Sequence, residues 1–313
     1  MMDQALSPAA KVAAENENAA QSRNRWLTMP AIFLITIFGV VPLFIVVIYS
    51  FLVPAAYGGV ETPWTFSTEA YVRFFFSRDI IDESLITFDP IYLWIYFRTI
   101  VYALATTVIC LLFGFPTAYF MATRPPEQRN WWVLLITIPF WSNLLVRTLS
   151  VMLIIRDQGI VNNFLIWAHI IDKPLTMLYT DFAIMLGLLY SYLPFMVLPL
   201  YSSLEKMDFR LVEAGYDLYA TQRKVLWRVI IPLAMPGIIA GCLLVFIPAL
   251  GSYVTPLILG GGTRSMIGDL IANQFGSGRA WPFGSAQALM LMVVVLIALY
   301  FYVKNTTGGV KHG

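Results

Sequence analysis

The chain has 313 residues, of which 59% are hydrophobic and only 12% charged, with a formal net charge of +2. Its mean hydropathy of +0.73 lies well above the usual balance of a soluble protein and excludes an ordinary soluble domain. Two cysteines, Cys110 and Cys242, and two histidines, His169 and His312, leave no zinc constellation, so the cysteines read as small apolar filler.

Residues 1–25 are polar and rich in Ala, Asn and Glu. They lack the apolar run of a cleaved secretory signal, so the first apolar stretch is read as an uncleaved signal-anchor behind a disordered tail, 1–28. Six stretches are long and apolar enough to cross a hydrocarbon core of about 30 Å: 31–53, 99–122, 131–155, 182–204, 229–263 and 280–303. Only Arg147 interrupts the third, and the fifth is so long that it must hold loop as well as helix. The expected fold is an all-α integral membrane protein with six transmembrane helices. Its plan is a tail (1–28), a first span (29–53), an outer loop (54–94), a five-helix domain (95–303) and a tail (304–313).

Basic residues orient the spans. With the N-terminus inside, the inner face holds Lys11, Arg23, Arg25, Arg124, Arg129, Lys206, Arg210, Arg223, Lys224, Arg228, Lys304 and Lys311. The longer outer segments hold fewer, and their acidic surplus comes from Glu61, Glu69, Asp79, Asp82, Glu83 and Asp89. Both termini are therefore expected in the cytoplasm.

Absences narrow the function. There is no GxxxxGK[ST] phosphate loop, and Gly260-Gly261-Gly262-Thr263-Arg264 reads as a turn. No GxSxG elbow occurs. Asp and Glu are missing from the centres of the expected spans, which argues against a proton-coupled carrier with a titrating membrane carboxylate. Prolines 42, 116, 139, 194, 199, 236, 248 and 256 fall in or beside the spans, suggesting a bundle bent around a pathway. Arg147 is read as snorkelling to the outer interface, with a gate role as the alternative. Trp141 and Tyr253 are candidate pathway aromatics, able to hold an ammonium against a ring face.

The densest charge lies at 205–228, EKMDFRLVEAGYDLYATQRKVLWR, between the fourth and fifth stretches. Asp208 is placed to cap a helix in which Leu211, Ala214 and Leu218 share one face. Glu213 and Asp217 share another, with Arg210 in reach of Glu213. Ala214 and Gly215 leave a shallow spot for another protein's surface. Thr221 is placed to cap a second helix that continues past Pro232 into the fifth span.

Glu213-Ala214-Gly215, with Pro232 in register, resembles the EAA motif of type I ABC importer permeases: EAA, three residues, Gly, nine residues, Ile-x-Leu-Pro. Val229 and Ile231 stand for Ile and Leu, and Gly215 for the second Ala. Tyr219 occupies the position of the family Gly, which implies a differently shaped turn. The stretches 138–165, 194–208 and 232–261 further resemble the first permease subunit of spermidine/putrescine importers.

The resemblance implies a non-catalytic permease subunit, with Arg210, Glu213, Ala214, Gly215, Asp217 and Tyr219 coupling it to a partner at the 205–232 loop. It implies a dimer of ATPase subunits that bind the ATP, so this chain needs no cofactor. A second permease subunit, a periplasmic polyamine-binding protein and the bilayer of the bacterial inner membrane complete the set, without nucleic acid. Substrate would move inward by ATP-driven alternating access. The alternatives are a permease of the same type for an opine, an amino-acid-like solute or another cation, and, from a different class, a proton-coupled carrier.

Overall fold

The computed structural model describes residues 28–55, 57–78 and 86–308. The polar N-terminal tail and the acidic residues Asp79, Asp82 and Glu83 lie outside the described residues, as do 309–313 of the 304–313 tail. Helix α1 (Thr28–Tyr49) is apolar on every side, and almost none of it is covered by the rest of the chain. Its foot is anchored where Tyr49 stacks on Trp281 with ring centroids 6.2 Å apart. An uncovered apolar helix of this length needs lipid or another membrane subunit around it.

The expected outer loop is folded. Bridges Leu52↔Phe66 and Pro54↔Val60 close its first part. Helix α2 (Glu69–Phe75) follows, then an antiparallel pair, β1 (Phe76–Arg78) with β2 (Ile86–Phe88). Phe74 of α2 meets Tyr96 edge-on at 5.1 Å, in a cluster with Phe283 and Ile267.

Helix α3 (Ile91–Ala122) begins earlier than the expected 99, because Asp89 Oδ1 accepts the Ile91 amide at 3.0 Å and caps the start behind Pro90. Its 32 residues reach about 48 Å, more than the thickness of a hydrocarbon core.

The third expected span is not one helix. Helix α4 (Pro126–Trp141) ends in a 3-10 turn at Ile138–Trp141 and meets the following segment, Leu144–Trp167, at 92°. That segment comprises α5 (Leu144–Ile155) and α6 (Ile160–Trp167). Pro139 opens the break, and the Asn143 side chain starts α5 by accepting the Leu145 amide at 2.8 Å.

Helix α7 (Asp181–Glu205) runs on through Pro194 and Pro199. Helix α8 (Arg210–Asp217) follows, then α9 (Gln222–Leu250), which passes through a π turn at Leu226–Ile230. The π turn lets the Ile231 amide reach back to Leu226 just before Pro232, which has no amide to give. A second π turn, Thr36–Val40, also precedes a proline, Pro42 in α1, and there the Val41 amide bonds the Ile37 carbonyl. After α9 come the short α10 (Val254–Leu259), α11 (Ile267–Phe275) and α12 (Trp281–Gly308), so the 229–263 stretch does hold loop as well as helix.

Five described helices are long and apolar enough to span a membrane, and six if the bent pair counts as one span. Helices α3, α7 and α9 form the core around Cys110, Met196, Leu200, Leu204 and Val245, all fully buried. Close approach depends on Gly237 and Gly241 of α9, one turn apart: a Cβ on Gly237 would stand 2.6 Å from Ser203 Cβ and 2.7 Å from the Pro199 carbonyl oxygen. Small residues at this spacing are what lets membrane helices touch. Cys110 and Cys242 are both free and both belong to this core.

Candidate functional site

Helix α8 lies across the end of the α7/α9 pair. Asp208 Oδ1 accepts the Arg210 amide at 3.0 Å, so the expected capping is present. Thr221 holds the N-cap position of the next helix without a side-chain bond. Val212 is the buried anchor of α8. Gly215 faces inward as well: a Cβ there would sit 3.2 Å from Val225 Cγ2. Gly215 is half-buried and makes this contact within the loop, while Ala214 beside it is exposed.

The outer face of α8 is open. Glu213, Ala214 and Asp217 are exposed, as are Leu211 and Leu218 of the expected apolar stripe. Among the described residues no ion pair joins Arg210 to Glu213, leaving that carboxylate available. Beside α8 opens a cleft of about 580 Å³ between α7 and α9, walled by Leu211, Asp208, Ser203 and Pro236.

The end of α8 corrects one expectation. Ala220 donates its amide to the Gly215 carbonyl at 3.1 Å, and Tyr219 donates to Tyr216 at 2.9 Å. This pair of bonds is the Schellman motif, whose residue past the helix end is left-handed and usually Gly. Tyr219 adopts that conformation, with φ +57°, and its ring is 96% exposed. The turn keeps the shape a glycine would give it, at the steric cost of a side chain in the left-handed region.

Arg147 also departs from expectation. Its side chain is buried, not snorkelling. Nη2 donates to the Pro139 carbonyl at 2.6 Å and the Ser142 carbonyl at 3.0 Å, and Nε reaches Ser142 Oγ at 3.4 Å. The guanidinium also lies 5.8 Å from the Phe140 ring centroid and 5.9 Å from that of Tyr190. A cation placed at the carbonyl end of α4 is favoured by that helix's dipole. Trp141 stands at the apex of the bend, 83% exposed.

Tyr253 lies elsewhere, in a cleft of about 480 Å³ with Leu257, Ser265, Asp269, Asn273 and Ser277. Trp141 is not in that cleft. Asp269 was missed by sequence reasoning, since one acid beyond a Gly-rich turn carries no motif. It is almost fully buried, and its Oδ1 has no hydrogen-bond partner. Burial pushes its carboxyl pKa up, against a smaller opposing pull from the Met266 amide and the Ser265 side chain.

No family model matches the chain. The chain is 40% identical over 233 residues to the spermidine/putrescine transport system permease protein PotB of Escherichia coli K12, covering 74% of this chain and 84% of the relative. It is 41% identical over 217 residues to the Haemophilus influenzae protein of the same name, covering 69% and 76%. A solved bacterial alginate ABC transporter, in complex with an alginate pentasaccharide-bound periplasmic protein, contains a chain that superimposes with a TM-score of 0.66. The overlap covers 95% of this chain and 98% of that one at 17% identity, a likeness of fold alone.

Proposed function

The chain belongs to the family of PotB spermidine/putrescine transport permeases, and from that premise we propose that it is the membrane-spanning permease subunit of a polyamine importer. It crosses the bacterial inner membrane six times, counting the bent α4/α5–α6 pair as one span, with both termini in the cytoplasm. Basic residues Arg124, Arg129, Lys206, Arg210, Arg223, Lys224 and Arg228 gather at the α8 end and support that orientation.

The observation that carries the coupling role is the open outer face of α8. It offers Glu213, Ala214 and Asp217 beside an exposed Tyr219, on a short helix fixed from beneath by Val212 and Gly215. A rigid, partly apolar projection with unpaired acid suits docking into a basic-edged groove. Its occupant is an ATPase subunit, which binds and hydrolyses ATP; this chain holds no phosphate loop and catalyses nothing. Arg210 contributes charge at the start of the same helix. A sister permease packs against the lipid-facing helices, and a periplasmic binding protein delivers substrate at the far end.

Closure of the ATPase dimer would move α8, and α7 and α9 with it, through the glycine-packed core. A polycation gains from this direction of travel, since an inside-negative potential contributes about 2.3 kcal/mol per charge per 100 mV. The second reading is a permease of the same type for another small solute. Measuring ATP hydrolysis by the assembled complex separates them: spermidine-loaded binding protein should stimulate it, and stimulation by a different solute with none by polyamines would favour the second reading.

A further inference from the structure

Thr99 and Ala122 lie 23 residues apart in α3, or about 35 Å. The Ala122 end packs with Leu204 and Val212 of the coupling loop. At the Thr99 end, Thr99 Oγ1 accepts the Ile267 amide at 3.0 Å, and Arg98 donates to the Ser265 carbonyl. The segment 265–269 is thus fixed at the end of the bundle opposite α8. The cleft of Tyr253 and Asp269 opens there, where incoming substrate would first meet this subunit.

Asp269 occupies the first turn of α11, where free amides favour an anion. Yet it is only 8% exposed and its Oδ1 receives no hydrogen bond. A buried carboxylate without a countercharge is costly. Neither the Arg129–Glu205 nor the Arg264–Asp181 ion pair serves Asp269. Arg98 donates through Nη2 to the Ser265 carbonyl. The cleft volume of about 480 Å³ falls in the range of small-molecule pockets. Tyr253 adds a half-exposed ring to its wall, and Ser277, which donates to Asn273 Oδ1, keeps its own oxygen as an acceptor.

We propose that this cleft is an ammonium-binding site on the substrate's route, in which Asp269 pairs with one charged end of a polyamine while the Tyr253 ring supports it by a cation–π contact. The site rests on the polyamine reading given above. An arriving ammonium supplies a countercharge to Asp269 and a donor for its Oδ1, beside the Met266 amide and Ser265 side chain that already serve the carboxyl. The rest of the chain of methylenes lies against Leu257.

The test is uptake of labelled spermidine and putrescine by the complete transporter in proteoliposomes. Asp269→Asn should raise the half-saturating concentration for uptake at least tenfold with assembly intact, while Asp269→Glu stays within about threefold of the parent. Tyr253→Leu should weaken uptake threefold or more and Tyr253→Phe should not; this pair decides the matter if Asp269→Asn fails to assemble. Parental uptake with unchanged half-saturation in both Asp269→Asn and Tyr253→Leu overturns the site but leaves the polyamine reading standing. A parent complex that hydrolyses ATP on stimulation yet takes up neither polyamine overturns both.

Discussion

The Arg147 guanidinium and the Pro139 carbonyl oxygen meet at 2.6 Å across the break between α4 and α5. The contact ties two helical segments at 92° through a buried charge. Hydrogen bonds from a charged donor contribute about 1.5–3 kcal/mol each, and here Pro139 and Ser142 would lose theirs together. Arg147→Met should therefore lower the melting temperature of the purified complex sharply. Arg147→Lys should fall between, because an ammonium lacks the planar fork that reaches both carbonyls. Equal melting temperatures for all three would show that the bend needs no such tie.

Tyr219→Gly should move two readouts in opposite directions. Removing a side chain from a left-handed position relieves about 1 kcal/mol of steric strain, so the permease alone should melt slightly higher. Removing an exposed aromatic from the coupling face should weaken retention of the ATPase subunit. If retention is unchanged, the ring contributes nothing to docking.

Glu213→Lys should leave membrane insertion intact and release the ATPase subunit, because it reverses an exposed charge without touching the anchor Val212. Co-purification of the ATPase from detergent extracts measures this directly. Normal co-purification would remove Glu213 from the coupling role.

Gly237→Val should reduce the yield of folded permease, since its side chain would collide with Ser203 and the Pro199 backbone. Overpacking of this kind costs about 1–3 kcal/mol or more where the obstacle is backbone. Gly39→Ala is the control, with nothing within 4 Å of the added carbon. A monodisperse peak of parental height for Gly237→Val on size-exclusion chromatography would show that α7 and α9 separate easily.

Hydropathy made the long helices legible, and charge drew attention to 205–228, because both signals are local. The family resemblance carried the substrate class. What stayed hidden depends on contacts between distant residues. Arg147 looked like an interfacial cation because a linear reading treats 131–155 as one straight helix, whereas Pro139 and Asn143 divide it. The contact of Gly215 with Val225 stayed hidden because Val225 lies beyond a turn. Tyr219 looked incompatible with the family's turn, yet the two backbone bonds from Ala220 and Tyr219 hold the left-handed geometry regardless of side chain. Asp269 became visible only when the fold buried it and left its Oδ1 without a donor.

The most direct measurement is accumulation of labelled putrescine and spermidine in proteoliposomes holding this chain, its sister permease, the ATPase and the binding protein. ATP-dependent accumulation, lost with Glu213→Lys, is the expected result and joins substrate class to coupling. Binding-protein-stimulated ATP hydrolysis without accumulation of either polyamine would contradict the substrate assigned to this permease.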